Sequence, residues 1–479
     1  MSPHAVPVAS LHGRPSVDLS EFGVSKNAFL PEHNPPERLS DPYYEPWEAI
    51  VSQLPALIES GAIRRHIGLL PVLSTAQLQS EPEWQRAYAM LAFMTHAHIW
   101  GGDAPEEILP PQLTVPFLRV SEHLELPPVL TYAAANLWNF ACAGDDFSKI
   151  ENLRTLFSFT GTVSESWFLL ISAAMEAKAA GVLHTVTAAL MAVKAREYGL
   201  VADALDELRR CIDDVAALLE RMHEHCDPAV FYHQIRPFLA GSKNMEAAGL
   251  PRGVFYDEGD GRGSWRQLRG GSNGQSSLIQ FFDVVLGVEH RGHGNADDGA
   301  AASCASASAS ASVTATAGQT TPSFHAEVRD YMPGPHRRFL VHAARMGSIR
   351  ELVLASASAS TAEGDGLDND DDRRRLREAY VAATRALSSF RDKHIQIVAR
   401  YIVLPSKQAA AQAGSSPVEN RPDPEGRSCR RQNLASSSSS RQADDDLTGT
   451  GGTKLVPFLK MARDETRQAG FLVRPRRAT

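Results

Sequence analysis

The sequence has few cysteines, no excess of basic charge and almost no long uncharged run, and each shortage narrows the class of protein. Its five cysteines among 479 residues lack any Cys-x-x-Cys spacing, which argues against a disulfide framework and a cysteine-rich zinc site. The 48 basic and 56 acidic side chains give a formal charge of −8, so we expect no nucleic-acid partner. The uncharged run at 126–144 contains two prolines and two asparagines, which favours a buried helix after a Pro-Pro turn over a membrane span. Because the first residues also lack an apolar signal segment, we expect a soluble, cytoplasmic protein.

Three stretches rich in Ser, Ala, Gly, Asp or Gln divide the chain. Polar insertions of this kind can loop into solvent, because the entropy of closing a loop rises slowly with its length. We predict long disordered low-complexity loops at 291–321, 355–371 and 406–448. We predict a flexible N-terminus at 1–20, a small helical domain at 21–125, a larger helical domain at 126–470 that contains the three loops, and a tail at 471–479.

Hydrophobic spacing favours an all-α fold. Apolar residues from Val201 to Met222 recur alternately four and three positions apart, which is typical of an amphipathic helix with one buried face. A second strong helix is predicted over 376–404, residues 166–191 are apolar almost all round, and residues 49–60 carry a shorter apolar stripe. Patterns with a period of two residues, which indicate strands, are scarce.

His394 is the most informative single residue. It lies on the apolar stripe of the predicted 376–404 helix, between Phe390 and Ile397. A histidine there can hydrogen-bond a backbone carbonyl inside the core, or a rigid helix can project it as an axial ligand toward haem iron. Arg391 lies one turn earlier on the same side, where it suits an anchor for a haem propionate or a carboxylate.

Arg236 is a charged residue with apolar neighbours. It lies in the segment AVFYHQIRPFLAG, flanked by Phe231, Ile235 and Phe238, where an unpaired guanidinium would be costly. It can snorkel to the surface or form a structural ion pair. Alternatively, it can hold a substrate carboxylate through a bidentate contact.

Two glycine-rich segments, at 269–277 and 448–453, predict turns or backbone that must approach a flat ligand closely. The first contains the Gly-x-Ser-x-Gly pattern of a serine-hydrolase elbow around Ser272. Such an elbow requires a buried strand immediately before it, and the preceding GRGSWRQL is polar and unlike a strand. Gln275 stands where a phosphate-binding loop needs lysine, so that function is also disfavoured.

Two His-x-His pairs, His96 with His98 and His223 with His225, raise the question of a metal site. Side chains two positions apart on a helix point in nearly opposite directions, so neither pair can chelate one ion. We therefore expect helix-end surface histidines rather than a zinc or non-haem iron site.

Several segments taken together resemble the indoleamine 2,3-dioxygenase family, specifically its fungal branch. They occur in family order and cover almost the whole chain outside the three insertions, which makes the combination specific. The matching blocks are LPALIESG (54–61), LELPPVLTYAAANLW (124–138), FTGTVSESWFLLISAAMEA (159–177), FYHQIRPFLAG (231–241), GGSNGQSSLIQFFDVVLG (270–287), RDYMPGPHRRFL (329–340), FRDKHIQIVARYI (390–402) and GTGGT (449–453).

The resemblance implies an all-helical fold in which a small N-terminal domain caps a larger domain that encloses haem b. It implies that His394 is the proximal iron ligand, with Asp283 and Arg391 as an acidic–basic pair supporting that side. Ser272 and the adjacent Gly271 match the loop beside the haem edge.

The resemblance also implies a site for L-tryptophan. Arg236 aligns with the arginine that binds the substrate carboxylate, and Phe231 aligns with an aromatic wall of the indole pocket. The other matches in this pocket are Phe168, Ser172, Tyr132 and the mobile-loop residue Thr450. The implied reaction inserts both atoms of O₂ across the indole C2–C3 bond to give N-formylkynurenine, the first step of the kynurenine route toward NAD. It implies ferrous haem, an electron donor that keeps the iron reduced, no protein acid or base, and a monomer.

One other hypothesis stays open, a haem- or tryptophan-binding relative with little turnover. The related tetrameric tryptophan 2,3-dioxygenase is disfavoured, because that family uses a distal histidine and the matching stretch here offers Ser172. The long polar loop before GTGGT leaves the timing of loop closure open, and Leu169 and Ala135 leave substrate preference open.

Overall fold

The computed structural model describes residues 18–290, 324–358, 367–414, 447, 449–450 and 454–472, and their architecture is predominantly helical, as predicted. The first nine α-helices are α1 (Glu45–Val51), α2 (Leu54–Glu59), α3 (Ile63–Gly68), α4 (Glu81–Trp100), α5 (Pro111–His123), α6 (Val163–Ala177), α7 (Val182–Ala192), α8 (Tyr198–Glu220) and α9 (Met222–His225). The others in the described ranges are α10 (Pro228–Val230), α11 (Arg236–Leu239), α12 (Ser277–Leu286), α13 (Phe324–Arg329), α14 (Gly334–Met346), α15 (Ile349–Ser358), α16 (Leu367–Val398), α17 (Leu404–Gly414) and α18 (Leu455–Ala469).

Three π-helical turns occur in the described ranges, and all three adjoin the cavity described below. They are π1 (Ala133–Leu137), π2 (Phe231–Ile235) and π3 (Ala399–Val403). Such turns are rare and often occur at functional sites, because the extra residue redirects neighbouring side chains. Short 3₁₀ turns lie at Ser20–Phe22, Pro42–Tyr44, Ile150–Asn152, Glu246–Ala248 and Asn273–Gln275.

Two small sheets accompany the helices. In the first, β4 (Val254–Gly259) pairs in parallel with β1 (Ile108–Leu109) and antiparallel with β5 (Arg262–Arg266). In the second, β2 (Ala141–Cys142) pairs antiparallel with β3 (Leu153–Arg154). The expectation that GRGSWRQL is unlike a strand was therefore wrong, because β5 is an edge strand whose side chains are mostly exposed and carry no alternating pattern.

The predicted helices are largely confirmed, and two of the predicted loops are partly helical. The 406–448 and 355–371 loops begin or end in helix, since residues 406–414 belong to α17 while 355–358 and 367–371 belong to α15 and α16. These segments contain alanine, a strong helix former, and local ion pairs such as Arg374 with Asp371. The rest of those two loops, all of 291–321, most of 1–20 and residues 473–479 lie outside the described residues.

The buried segment at 126–144 is mostly irregular rather than helical, apart from π1. Side chains replace the missing helical hydrogen bonds. Asn139 accepts the backbone N–H of Phe157 at 2.7 Å and donates to the Phe157 carbonyl at 3.1 Å, while Asn136 donates to the Leu169 carbonyl at 3.0 Å. Asparagine can satisfy both donors and acceptors of a neighbouring chain, which stabilises irregular backbone inside the core.

One cluster of buried apolar side chains connects the N-terminal helices with the larger helical region. Helix α4 is central to it: the Trp100 indole N–H donates to the Ala240 carbonyl at 2.9 Å, and the Tyr88 hydroxyl donates to the Pro127 carbonyl at 2.7 Å. The N-terminal helices thus pack directly on the region that holds the cavity. The division at residue 125 and the capping arrangement stay predictions.

The apolar segment at 166–191 forms two helices, because α6 ends at Ala177 and α7 begins after Gly181, whose positive φ of 83° is one that glycine adopts readily. Within the described ranges no single helix is long and apolar enough to cross a membrane, and α6 and α7 reach that length and apolarity only together, bent by 44°.

Candidate active site

A cavity of about 1800 Å³, including its opening to solvent, lies among α6, π2, the 269–276 loop, α16 and α18. Every site residue expected from the sequence lines it except Asp283, which lies behind Arg391. The lining residues from that set are Tyr132, Phe168, Ser172, Phe231, Arg236, Gly271, Ser272, Arg391, His394 and Thr450. Ala135 and Leu169 also reach the cavity, so the two residues that left substrate preference open do belong to its surface.

His394 faces this cavity from α16. Burial, and then the nearby charge of Arg391, lower the pKa of His394 to about 4, so the imidazole is neutral near pH 7. Among the described residues, none hydrogen-bonds either ring nitrogen, which leaves a lone pair available on the cavity side. A neutral imidazole on a rigid helix, with a free nitrogen in a largely apolar cavity, fits the chemistry of an axial haem ligand.

Arg391 is engaged by protein groups rather than free to bind a propionate. Its Nη2 lies 2.7 Å from both carboxylate oxygens of Asp283, and its Nη1 donates to Thr466 of α18. Burial would raise the pKa of Asp283, but Arg391 and then His290 hold it well below its usual range. The carboxylate that Arg391 anchors is therefore one of the protein's own, and it ties α16 to α12 and α18.

Two histidines that the sequence analysis missed border the 291–323 segment. The Nε2 of His290 lies 3.0 Å from Asp283 Oδ2, and its Nδ1 lies 2.6 Å from Glu465 Oε2. The His290 ring stacks on that of His325, with 3.5 Å between the ring centroids. Asp283, His290 and His325 offer ligand atoms within 4.8 Å of one another. Because Arg391 and Glu465 already pair with this group, it is a charge-compensated cluster and not an open metal site.

π2 and α11 carry the groups suited to an aromatic anion. Arg236 begins α11 and is only 4% exposed, and burial lowers its pKa. Phe231, at the start of π2, packs edge-on against Phe168, with 4.9 Å between the ring centroids. A buried guanidinium beside an aromatic wall can hold a carboxylate while the rings pack against an attached aromatic group.

The 269–276 loop lies against the end of α11 by close backbone contact. A Cβ on Gly270 would lie 2.1 Å from the Leu239 carbonyl, and one on Gly241 would lie 2.2 Å from the Leu268 carbonyl. The close approach that Gly270 permits is thus to protein backbone, not to a flat ligand, which corrects that part of the expectation. Gly271 lines the cavity, and Thr450 donates to its carbonyl at 2.8 Å.

Ser272 does not have the surroundings of a hydrolase nucleophile. Its hydroxyl accepts the backbone N–H of Gly274 at 3.2 Å, as the cap of a 3₁₀ turn. β5 ends at Arg266, well before Ser272, so the strand-to-helix elbow is missing from this part of the described chain.

The His-x-His pair of α4 lies in the core, so the expectation of surface histidines was wrong there. His96 bridges the Phe238 carbonyl at 2.7 Å and the Leu130 N–H at 3.0 Å, while His98 meets the Ile108 carbonyl at 3.1 Å. Backbone groups therefore satisfy these rings, as is common for core histidines.

Helices wrapped around one neutral imidazole, a buried guanidinium and aromatic walls define a helical protein with an internal site suited to haem and an aromatic anion. Comparison with known proteins narrows this class. The family model described as Indoleamine 2,3-dioxygenase matches residues 18–469. The chain belongs to the indoleamine 2,3-dioxygenase family, a group of haem-dependent dioxygenases that act on tryptophan and O₂. The resemblance and the enzyme class expected from the sequence are confirmed.

Fungal relatives are among the similar proteins. The indoleamine 2,3-dioxygenase of Saccharomyces cerevisiae is 38% identical over 472 residues, covering 95% of this chain and 94% of its own. The indoleamine 2,3-dioxygenase nanC of Aspergillus nanangensis is 35% identical over 465 residues, covering 95% of this chain and 98% of its own. The 6-hydroxytryptophan 2,3-dioxygenase fscD of Fusarium equiseti is 35% identical over 450 residues, covering 94% of this chain and 96% of its own.

Proposed function

We propose that this protein converts L-tryptophan and O₂ to N-formylkynurenine. The observation that supports this best is the meeting of His394 and Arg236 on one cavity with aromatic walls. L-tryptophan carries both features that such a cavity can recognise, an anionic carboxylate and a flat indole. The family also includes the relative named for 6-hydroxytryptophan, so that compound is the competing substrate.

His394 would hold the iron of haem b on its α16 side. When bound in its ferrous form, haem supplies the binding and activation of O₂. The Asp283–Arg391 pair would keep the helical turn before His394 in place, since Arg391 precedes it by one turn. Ser272 and Gly271 would adjoin the haem edge.

The remaining groups would bind and orient the substrate. Arg236 would fix the carboxylate, and Phe231 with Phe168 would pack against the indole and direct its C2–C3 bond toward the oxygen. Tyr132 would close the same pocket, with Ser172 beside the indole in place of a basic residue. The largely apolar wall excludes water, and Thr450, which is bonded to the 269–276 loop, would help to cover the site.

The wider role follows from the same chemistry. We infer that the reaction is the first step of the kynurenine route toward NAD, and that a cellular electron donor keeps the iron ferrous. We also propose a cytoplasmic monomer without nucleic-acid or membrane partners.

The test is a single-turnover reaction of haem-loaded, reduced protein with L-tryptophan, started with aerated buffer and followed by the absorbance of N-formylkynurenine. His394→Ala should lose the Soret band and the product, whereas His342→Ala, which changes an exposed histidine of α14, should keep both. Running 6-hydroxytryptophan in parallel tests the substrate, and product from that compound alone would show our assignment to be wrong. Bound haem without product from either compound would indicate a binding protein with little turnover.

A further inference from the structure

Helix α6 contributes a carboxyl group to the cavity that the reaction described above does not use. Phe168, Ser172 and Glu176 follow each other at four-residue intervals, so they lie on one face, and all three line the cavity. Glu176 is only 1% exposed. A carboxyl group is rarely buried to this extent without a partner of opposite charge.

The polar groups that act on the Glu176 carboxyl are the hydroxyls of Ser276 and Tyr132 and the backbone amide of Leu278. Its Oε1 accepts hydrogen bonds from Ser276 at 2.6 Å and from Tyr132 at 3.1 Å. Its Oε2 is buried and has no hydrogen-bond partner in the described part of the chain, and no ion pair to Glu176 occurs there. One oxygen thus accepts two hydrogen bonds and the other accepts none, so a negative charge on this carboxyl group would be compensated on one oxygen only.

This environment favours the protonated acid. Burial raises the pKa of Glu176 to about 7, against the opposing effect of Ser276, Tyr132 and the Leu278 amide. Within the described residues, the titratable groups that interact electrostatically with Glu176 are Tyr132 and, on α8, Cys211. Burial raises the pKa of Cys211 to about 12 and that of Tyr132 well above 10, so neither changes charge near neutrality.

Glu176 also connects the two sides of the pocket. The backbone N–H of Tyr132 donates to the side chain of Gln275 at 2.9 Å, and Gln275 donates to the Gly270 carbonyl at 2.8 Å. Ser276 is the N-cap of α12 and accepts the Ile279 N–H. The carboxyl group therefore joins α6 to the segment that carries Tyr132 and to the 269–276 loop.

We propose that Glu176 is a positioning residue for the dioxygenase reaction: it fixes Tyr132 and Ser276 through Oε1 and carries a proton on Oε2 beside the cavity. The inference rests on the proposed function for its kinetic consequence. Loss of that proton places an uncompensated negative charge in the cavity that holds the carboxylate of the zwitterionic substrate, so the KM for L-tryptophan rises as the pH passes through about 7.

The experiment compares parent protein, Glu176→Gln and Glu176→Ala with bound haem. Glutamine keeps the acceptor and cannot ionise, so Glu176→Gln should show a KM independent of pH between about pH 6 and about pH 8. Glu176→Ala loses both hydrogen bonds and should lower kcat/KM about tenfold, while retaining its Soret band. Glu165→Gln is the matched control, since Glu165 is equally buried on α6 but accepts its hydrogen bonds from residues 158–160, away from the cavity. It should keep the pH dependence of the parent.

An infrared difference spectrum between the same two pH values gives a readout independent of turnover. The parent should show the C=O stretch of a protonated carboxylic acid that decreases as pH rises, and Glu176→Gln should lack that band. A pH-dependent KM that persists in Glu176→Gln, or the same infrared band in that variant, would overturn the proposal. If the parent forms no N-formylkynurenine, the proposed function fails, and the infrared band and the pH dependence of the tryptophan-induced Soret shift still decide the assignment of Glu176.

Discussion

The Asp283–Arg391 ion pair provides the sharpest test of how the site is held together. Its two side chains are 4% and 8% exposed, and Arg391 Nη2 lies 2.7 Å from both carboxylate oxygens. Removing one partner of a buried pair costs about 3–5 kcal/mol, because the remaining charge loses its compensation inside the protein. We expect Asp283→Asn to lower the free energy of unfolding by that amount.

The two single variants should differ. In Asp283→Asn, both Arg391 and His290 lose the negative charge that they share. In Arg391→Met, Asp283 keeps its contact with His290, whose Nε2 lies 3.0 Å from Oδ2. The free energy of unfolding should therefore fall by only about 2–3 kcal/mol, part of which reflects the lost hydrogen bond from Arg391 to Thr466. The double variant leaves His290 paired with Glu465. Its loss should therefore be smaller than the sum of the single losses by about 2 kcal/mol.

The assay is urea unfolding followed by far-ultraviolet circular dichroism, with excess haem present so that all variants are compared in the loaded state. Asp213→Asn is the control, because Asp213 forms an exposed pair with Arg209 on α8 and should cost less than about 0.5 kcal/mol. A loss below about 1 kcal/mol for Asp283→Asn, or strictly additive losses in the double variant, would refute the reasoning.

Three further predictions concern single residues. Arg236→Gln should raise the KM for L-tryptophan about 10- to 100-fold with the Soret band retained, because a charged hydrogen bond to the substrate carboxylate is lost. Steady-state kinetics measure this, and an unchanged KM would contradict the role of Arg236. Burial raises the pKa of Glu327, but Arg269 and Lys243 together lower it to about 2, so this carboxylate stabilises the fold above pH 4.5 and its contribution disappears as the pH falls toward 2. Since Glu327 is partly exposed, Glu327→Gln should lower the free energy of unfolding by about 1 kcal/mol at neutral pH and leave it unchanged near pH 2. Urea unfolding at the two pH values measures this, and an equal loss at both would contradict the prediction. Gly270→Ala should lower the unfolding midpoint and weaken haem retention, because a Cβ has no room between two backbone segments, and a parent-like melt would contradict that packing.

The success of the sequence predictions depended on how local the responsible interactions are. Helix α8 was predicted well because one buried face imposes a periodic pattern on the sequence. The β4–β5 hairpin was missed because β5 is an exposed edge strand and carries no alternating apolar pattern. The segment at 126–144 was misassigned because its backbone is satisfied by asparagine side chains, which produce no periodicity.

The sequence by itself determined the helical class, the family, and the unusual positions of His394 and Arg236, because residue type, spacing and motif order are properties of the chain alone. The resemblance already implied the Asp283–Arg391 pair, but only the tertiary structure decided that His290 and Thr466 join it, that Gly270 packs against backbone, and that Glu176 is a buried acid beside the cavity. The physical reason is distance along the chain: Glu176 meets a serine 100 residues away, and Arg391 meets an aspartate 108 residues away. The charge state and role of such a group depend on everything that packs around it.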